Sequence, residues 1–84
     1  MLQRGVAISS GTLPIFEETC LEWMRRLTND QSDEAMKIRD DAHMLLLEVR
    51  EWRNVLPTPV ERLKTISKVL EMHRRAFEYA TRRL

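Results

Sequence analysis

Cys20, His43 and His73 are the soft metal-ligand candidates of the chain, and Asp40 stands three residues before His43. On a helix, a carboxylate and an imidazole at that spacing share one face, the arrangement by which di-iron carboxylate bundles hold metal. Glu17, Glu18 and Glu22 are the further carboxylates that such a site would recruit, and in a chain this short a second subunit would have to complete it. Against this, none of the three soft ligands falls in a CxxC or HxxxH spacing. The Asp40/His43 pair is therefore expected to be a solvated i,i+3 contact. Cys20 is expected to act as a small, inert core hydrophobe and His73 as a core histidine. No serine or cysteine comes with a plausible base and an oxyanion-hole glycine, and both glycines, Gly5 and Gly11, lie outside any phosphate-binding loop pattern. The expectation is no catalytic residue, no cofactor, no bound metal and no enzymatic activity.

The elements that would position these residues are helices. Thr12-Leu13-Pro14 reads as an N-cap with proline in the first turn, and Glu17 and Glu18 follow at the positive end of the helix dipole. A first helix is expected over about 13–27, with residues 1–11 as a flexible arm and residues 12–84 as a single helical domain. Thr28-Asn29-Asp30-Gln31-Ser32 is a turn, and Ser32 caps a second helix over about 33–53. Pro57 stops it, and Thr58-Pro59-Val60-Glu61 combines a capping-box spacing with proline at the first position of a third helix over about 59–83.

Apolar residues recur three and four apart in each segment: Leu13, Phe16, Cys20, Trp23 and Leu27; Ala35, Ile38, Ala42, Leu45, Val49 and Trp52; Leu63, Ile66, Leu70, His73, Phe77, Ala80 and Leu84. A period near 3.5 favours shallow, knobs-into-holes packing. The fold class this predicts is all-α, an antiparallel three-helix bundle with coiled-coil-like heptad packing that dimerises.

The segment Arg39-Asp40-Asp41-Ala42-His43-Met44-Leu45-Leu46-Leu47-Glu48 resembles the metal-bearing helix of the small encapsulated ferritins, with Asp where that family has Glu. A third helix introduced by two prolines departs from that family's plan. The resemblance implies a remote alternative, a di-iron carboxylate bundle assembled across a dimer.

The second helix carries more apolar residues than one seam uses, because Met44, Leu45, Leu46 and Leu47 step around the axis at about 100° each. With the seam on Ile38, Leu45, Val49 and Trp52, the residues Met36, Met44 and Leu47 fall on the opposite face, bordered by Asp40, Glu48 and Glu51. These six are the expected partner-binding residues, for a homodimer or a protein partner. The competing expectation makes this helix the middle one of the monomer, covered on both sides. Function then reads as a small protein-protein interaction module: an adaptor, a small chaperone or inhibitor, or a structural subunit.

The runner-up is a nucleic-acid-binding regulator that uses Lys64, Lys68, Arg74, Arg75, Arg82 and Arg83 of the basic third helix. The spacing pairs Glu71 with Arg75 and Glu78 with Arg82, which would neutralise part of that surface. The chain as a whole is balanced, with 14 Lys and Arg against 13 Asp and Glu and a net charge of +1, so no strong field selects a nucleic acid. Its 84 residues leave room for one domain, and 43% hydrophobic content is enough to collapse one core. A lone cysteine forms no internal disulfide, which points to a cytoplasmic setting. The longest apolar runs are too short for a signal peptide or a membrane span, and no small-molecule substrate is expected.

Overall fold

The computed structural model describes the backbone of residues 2–82 and the side-chain surroundings of residues 14–82. It is all-helical: α1 (Leu2–Arg26), α2 (Asp33–Glu51) and α3 (Pro59–Arg82) pack against one another, with no strand among the described residues. Contacts along the chain fix the directions. Arg50 of α2 reaches Glu17 of α1, whereas Arg39, nearer the start of α2, reaches Leu27, the residue that follows the end of α1. Between α2 and α3, Thr65 meets Glu48, Arg75 meets Asp41 and Arg82 meets Glu34. Sequential helices are thus antiparallel, and α1 and α3 run in the same direction.

The caps of α2 and α3 lie where the sequence puts them. Ser32 has extended backbone and its Oγ accepts from the Ala35 N–H at 3.2 Å. At α3 the Glu61 N–H donates to Thr58 Oγ1 at 3.2 Å, and the Thr58 N–H donates to Glu61 Oε1 at 3.3 Å. This reciprocal box satisfies two backbone donors that a helix start leaves without partners. The Thr58 hydroxyl and N–H also hold the Glu61 carboxyl below its usual range.

The start of α1 differs. The helix begins at Leu2, not near Leu13, and Pro14 lies inside it. Proline removes one i→i−4 bond and crowds the preceding turn, at a cost of about 3 kcal/mol, yet its fixed φ is itself helical. A single proline therefore interrupts the bonding without having to end the helix. The flexible arm expected over residues 1–11 falls on positions whose side chains lie outside the described ones.

The core is formed by Cys20, Trp23 and Leu27 of α1, by Ala35, Ile38, Ala42, Leu45, Leu46 and Val49 of α2, and by Val69, Met72, Ala76 and Tyr79 of α3. Phe16 and Trp52 close one end in an edge-to-face contact, with ring centroids 6.5 Å apart. The seams read for the first two helices agree with this core; the seam read for α3 does not. Leu63, Leu70, His73 and Phe77 are exposed and Ile66 and Ala80 half-buried, while the row Thr65, Val69, Met72, Ala76, Tyr79 turns inward. α3 carries two apolar rows about a third of a turn apart. The bulkier one dominates the periodicity, but the slimmer one permits close helix approach, and its hydroxyls have partners. Thr65 Oγ1 donates to Glu48 Oε1 at 2.8 Å, and Tyr79 O–H donates to Asp30 Oδ2 at 2.6 Å.

Glu17, in the second half of α1, ties that helix to the end of α2. Its side chain is 12% exposed and accepts from Arg53 Nη2 at 2.6 Å and from Arg50 Nε at 3.2 Å. The Arg53 hydrogen bond leads in holding its carboxyl below the usual value of 4.5, against the opposing effect of burial, and Arg50 adds to it. A lowered folded value means this stabilisation is complete above the unfolded carboxylate value and disappears as pH falls through the folded one. Glu17→Gln is expected to lower stability by about 1 kcal/mol at pH 7, a figure kept small because both arginines are half in water. Urea melts of the two proteins should then converge at pH 3. A difference that persists unchanged at pH 3 would refute the assignment.

Candidate interaction surface

The face of α2 turned from the core holds Met36, Met44 and Leu47, each between 44% and 66% exposed. α2 is the helix that packs most against both of the others, yet neither α1 nor α3 covers this strip. Asp40 and Glu51 are exposed beside the strip. Glu48 is committed differently: its carboxylate accepts from Thr65, which ties α2 to α3, and it lines an α2/α3 groove of about 490 Å³ together with Met44, Asp41, Lys68 and Arg75.

A second and larger apolar face lies on α3. Leu63, Leu70 and Phe77 are each between 58% and 65% exposed, and they form with Ile66, His73 and Ala80 the very row that the periodicity assigned to the core. This row borders the groove between α1 and α3, the helix pair that touches least. The groove measures about 570 Å³ and is lined by Ile15, Thr19, Glu22, Trp23, Arg26, His73 and Phe77 among others. Its floor is fixed by one hydrogen bond, in which the Trp23 indole N–H donates to His73 Nδ1 at 2.8 Å. The bond defines His73 as an acceptor at Nδ1, so His73 is a surface clamp between two helices and not the core residue its seam position suggests. The Arg26 guanidinium covers the outer face of the Trp23 ring at 5.1 Å. The signal for this face was present in the sequence as the second apolar row of α3; which of the two rows packs inward was not.

The basic residues of α3 are largely occupied, though by other acids than the i,i+4 spacing suggests. Arg75 pairs with Asp41 at 2.6 Å and Arg82 with Glu34 at 2.6 Å, both on α2. Arg74 takes Glu71 and Glu78 instead. Lys64 and Lys68 are exposed, and Arg83 lies outside the described residues. Three of the six candidate nucleic-acid contacts are thus taken up in ion pairs, two of them across the bundle to α2.

The carboxylates proposed for a di-iron site are dispersed in the same way. Glu17 is held by Arg50 and Arg53, Glu18 by Arg25, and Glu22 by Arg25 and Arg26, while Asp40 and His43 are exposed on α2. No group of three or more His, Cys, Asp or Glu gathers to hold a metal ion among the described residues. Cys20 is fully buried, and burial first, with Glu17 second, pushes its thiol up to about 11. No helix among the described residues is long and apolar enough to cross a membrane. No protein-family model matches the chain, and comparisons with curated proteins and with solved structures found no match.

Proposed function

We propose that the protein is a non-enzymatic helix-docking module, acting through protein-protein contacts made by helix faces that its own bundle leaves uncovered. The observation that carries this reading is the row Leu63, Leu70 and Phe77, large apolar side chains at heptad spacing on the surface of α3. Apolar residues at i, i+3, i+4 and i+7 on an open helix face are how one helix presents anchors to another. Met36, Met44 and Leu47 give α2 a second set, and methionines suit a surface that must adapt to its partner. Asp40 and Glu51 flank that strip with negative charge, which favours a basic or neutral partner over an acidic one.

Burying each anchor is worth about 1.5 to 3 kcal/mol, so three offset much of the roughly 4 to 15 kcal/mol that association costs and the surrounding contacts supply the rest. Roles as adaptor, inhibitor or structural subunit all use this chemistry. The nucleic-acid reading is disfavoured because Arg74, Arg75 and Arg82 would have to leave their carboxylates to reach phosphates.

The test compares the wild type with Met44→Asp/Leu47→Asp and with Phe77→Asp, by light scattering and by native capture of binding proteins. All three positions are exposed, so helicity by circular dichroism should not change. At least one variant is expected to lose an assembly that the wild type forms. A wild type that stays alone at every concentration and captures nothing, or two variants that bind as the wild type does, would overturn the proposal.

A further inference from the structure

The outer row of α3 has a property that selects its occupant. Leu63, Ile66, Leu70, His73, Phe77 and Ala80 alternate three and four apart without a charged residue among them. That period belongs to a seam meeting another helix, not a flat surface. We propose that the occupant is a second copy of this chain, with the two α3 helices antiparallel across a two-fold axis; this rests on the reading that the open apolar faces dock helices.

Side-chain size picks the direction. In antiparallel pairing the layers are Leu63 against Ala80, Ile66 against Phe77 and Leu70 against His73, and each is repeated by symmetry. Large residues meet smaller ones in the outer layers, as interdigitating packing requires. A parallel pair would instead set His73 on His73 and Phe77 on Phe77.

Charge agrees. The flanking row on the open side of the seam is Ser67, Arg74 and Thr81. The antiparallel axis brings Arg74 near Ser67 of the other copy, so no like charges meet along that row. Arg74 is also neutralised locally by Glu71 and Glu78.

The area is adequate. α3 spans 24 residues, about 36 Å, and with the adjoining α1/α3 groove the face amounts to on the order of 600 Å² per copy. Two such faces reach about the 1,200 Å² at which specific interfaces begin. Exposed Ile15 lies at the border of this face, on the α1 side.

Sedimentation equilibrium from micromolar to millimolar protein is expected to show the species at twice the 10.0 kDa chain mass. Phe77→Asp, which removes two symmetric Phe contacts, should weaken the dimer on the order of 100-fold with unchanged helicity. Met44→Asp/Leu47→Asp should leave it intact. For direction, Leu63→Cys and Ala80→Cys proteins are mixed under mild oxidation. The expected product is a crosslink between the two different variants, identified by mass spectrometry of the joined peptides. Self-crosslinked Leu63→Cys would overturn the antiparallel pairing. A monomer at all concentrations would overturn the dimer; if Phe77→Asp nevertheless abolishes capture of another protein, the docking function stands and only its occupant changes.

Discussion

Arg39→Met is expected to destabilise the bundle by about 2 to 3 kcal/mol, the loss to be read as a fall of roughly 2 M in the urea midpoint, since a domain of this size has a slope near 1 kcal/mol per M. The reason is the number of carbonyls that depend on one side chain. α1 ends at Arg26, and the chain must turn within six residues to begin α2 at Asp33. The last carbonyls of a helix have no partner of their own. Just past that end, Arg39 Nη1 donates to the Leu27 carbonyl, which also accepts from the Asp30 N–H, to Asp30 O at 2.9 Å and to Thr28 O at 3.1 Å. Its charge also opposes the negative end of the α1 dipole. The same turn is closed from α3, where Tyr79 O–H donates to Asp30 Oδ2 and the Ser32 hydroxyl, turned toward Tyr79, completes the chain of bonds. Arg39 therefore fixes the corner into which all three helices run. Arg39→Lys should recover part of the loss, because all three bonds come from the single Nη1 and an ammonium also carries its three donors on one nitrogen. A midpoint shift below about 0.5 M for Arg39→Met would show that water replaces these bonds at no cost.

That corner marks the boundary of what the sequence discloses. Turn chemistry at 28–32, the Ser32 cap and the Thr58/Glu61 box are local: each is set by residues within four positions, and each lies where residue type and spacing put it. The apolar rows of α1 and α2 are also legible, because each helix has one row rich enough to face the core and the excess on α2 stands out as Met36, Met44 and Leu47. Two other features are not local. Arg39 reads as an ordinary solvated charge until α1 and the turn are folded back over it. In α3 the rows 63-66-70-73-77 and 65-69-72-76-79 compete, and hydrophobicity favours the first. The second lies inward because Ala76 and Val69 admit close approach and because Thr65 and Tyr79 find Glu48 and Asp30, partners contributed by other helices. A polar residue looks unsuited to a core until its partner is known. The same nonlocality governs Arg75 and Arg82, whose acids sit across the bundle on α2, whereas Arg74 finds Glu71 and Glu78 one turn away on its own helix.

The ion pairs say something about function as well. Glu34–Arg82 and Asp41–Arg75 clasp α2 to α3, and Glu17 clasps α1 to α2. Between α1 and α3 the described contact is instead the neutral Trp23–His73 pair. Exposed ion pairs contribute little stability each, but their placement leaves the α1/α3 side, among the described residues, without charges clamped across it. An apolar partner meets less desolvation there than along either charged seam. The least fastened side of the bundle is thus also the side best suited to receive another helix.

Cys20 turns these contacts into a measurement. Its side chain is fully buried, and burial pushes its thiol up to about 11. At pH 8 the native thiolate fraction is on the order of 100-fold below that of an exposed cysteine, and the sulfur has no path to a bulky reagent. Modification by an aromatic disulfide must then wait for the bundle to open. With a stability of about 4 kcal/mol or more for a domain of this length, native labelling should be at least 1,000-fold slower than in denaturing urea. Because opening is the limiting equilibrium, any change in stability appears directly in the rate. Arg39→Met should accelerate labelling by on the order of 30-fold or more, since 1.4 kcal/mol corresponds to a factor of ten. Phe77 lies exposed on the open face, its ring beside His73, so at protein concentrations too low for association Phe77→Asp should leave the rate within a factor of about three. Fast labelling of the native wild type would mean that Cys20 is not enclosed. Equal rates for wild type and Arg39→Met would mean that the corner held by Arg39 opens independently of the core.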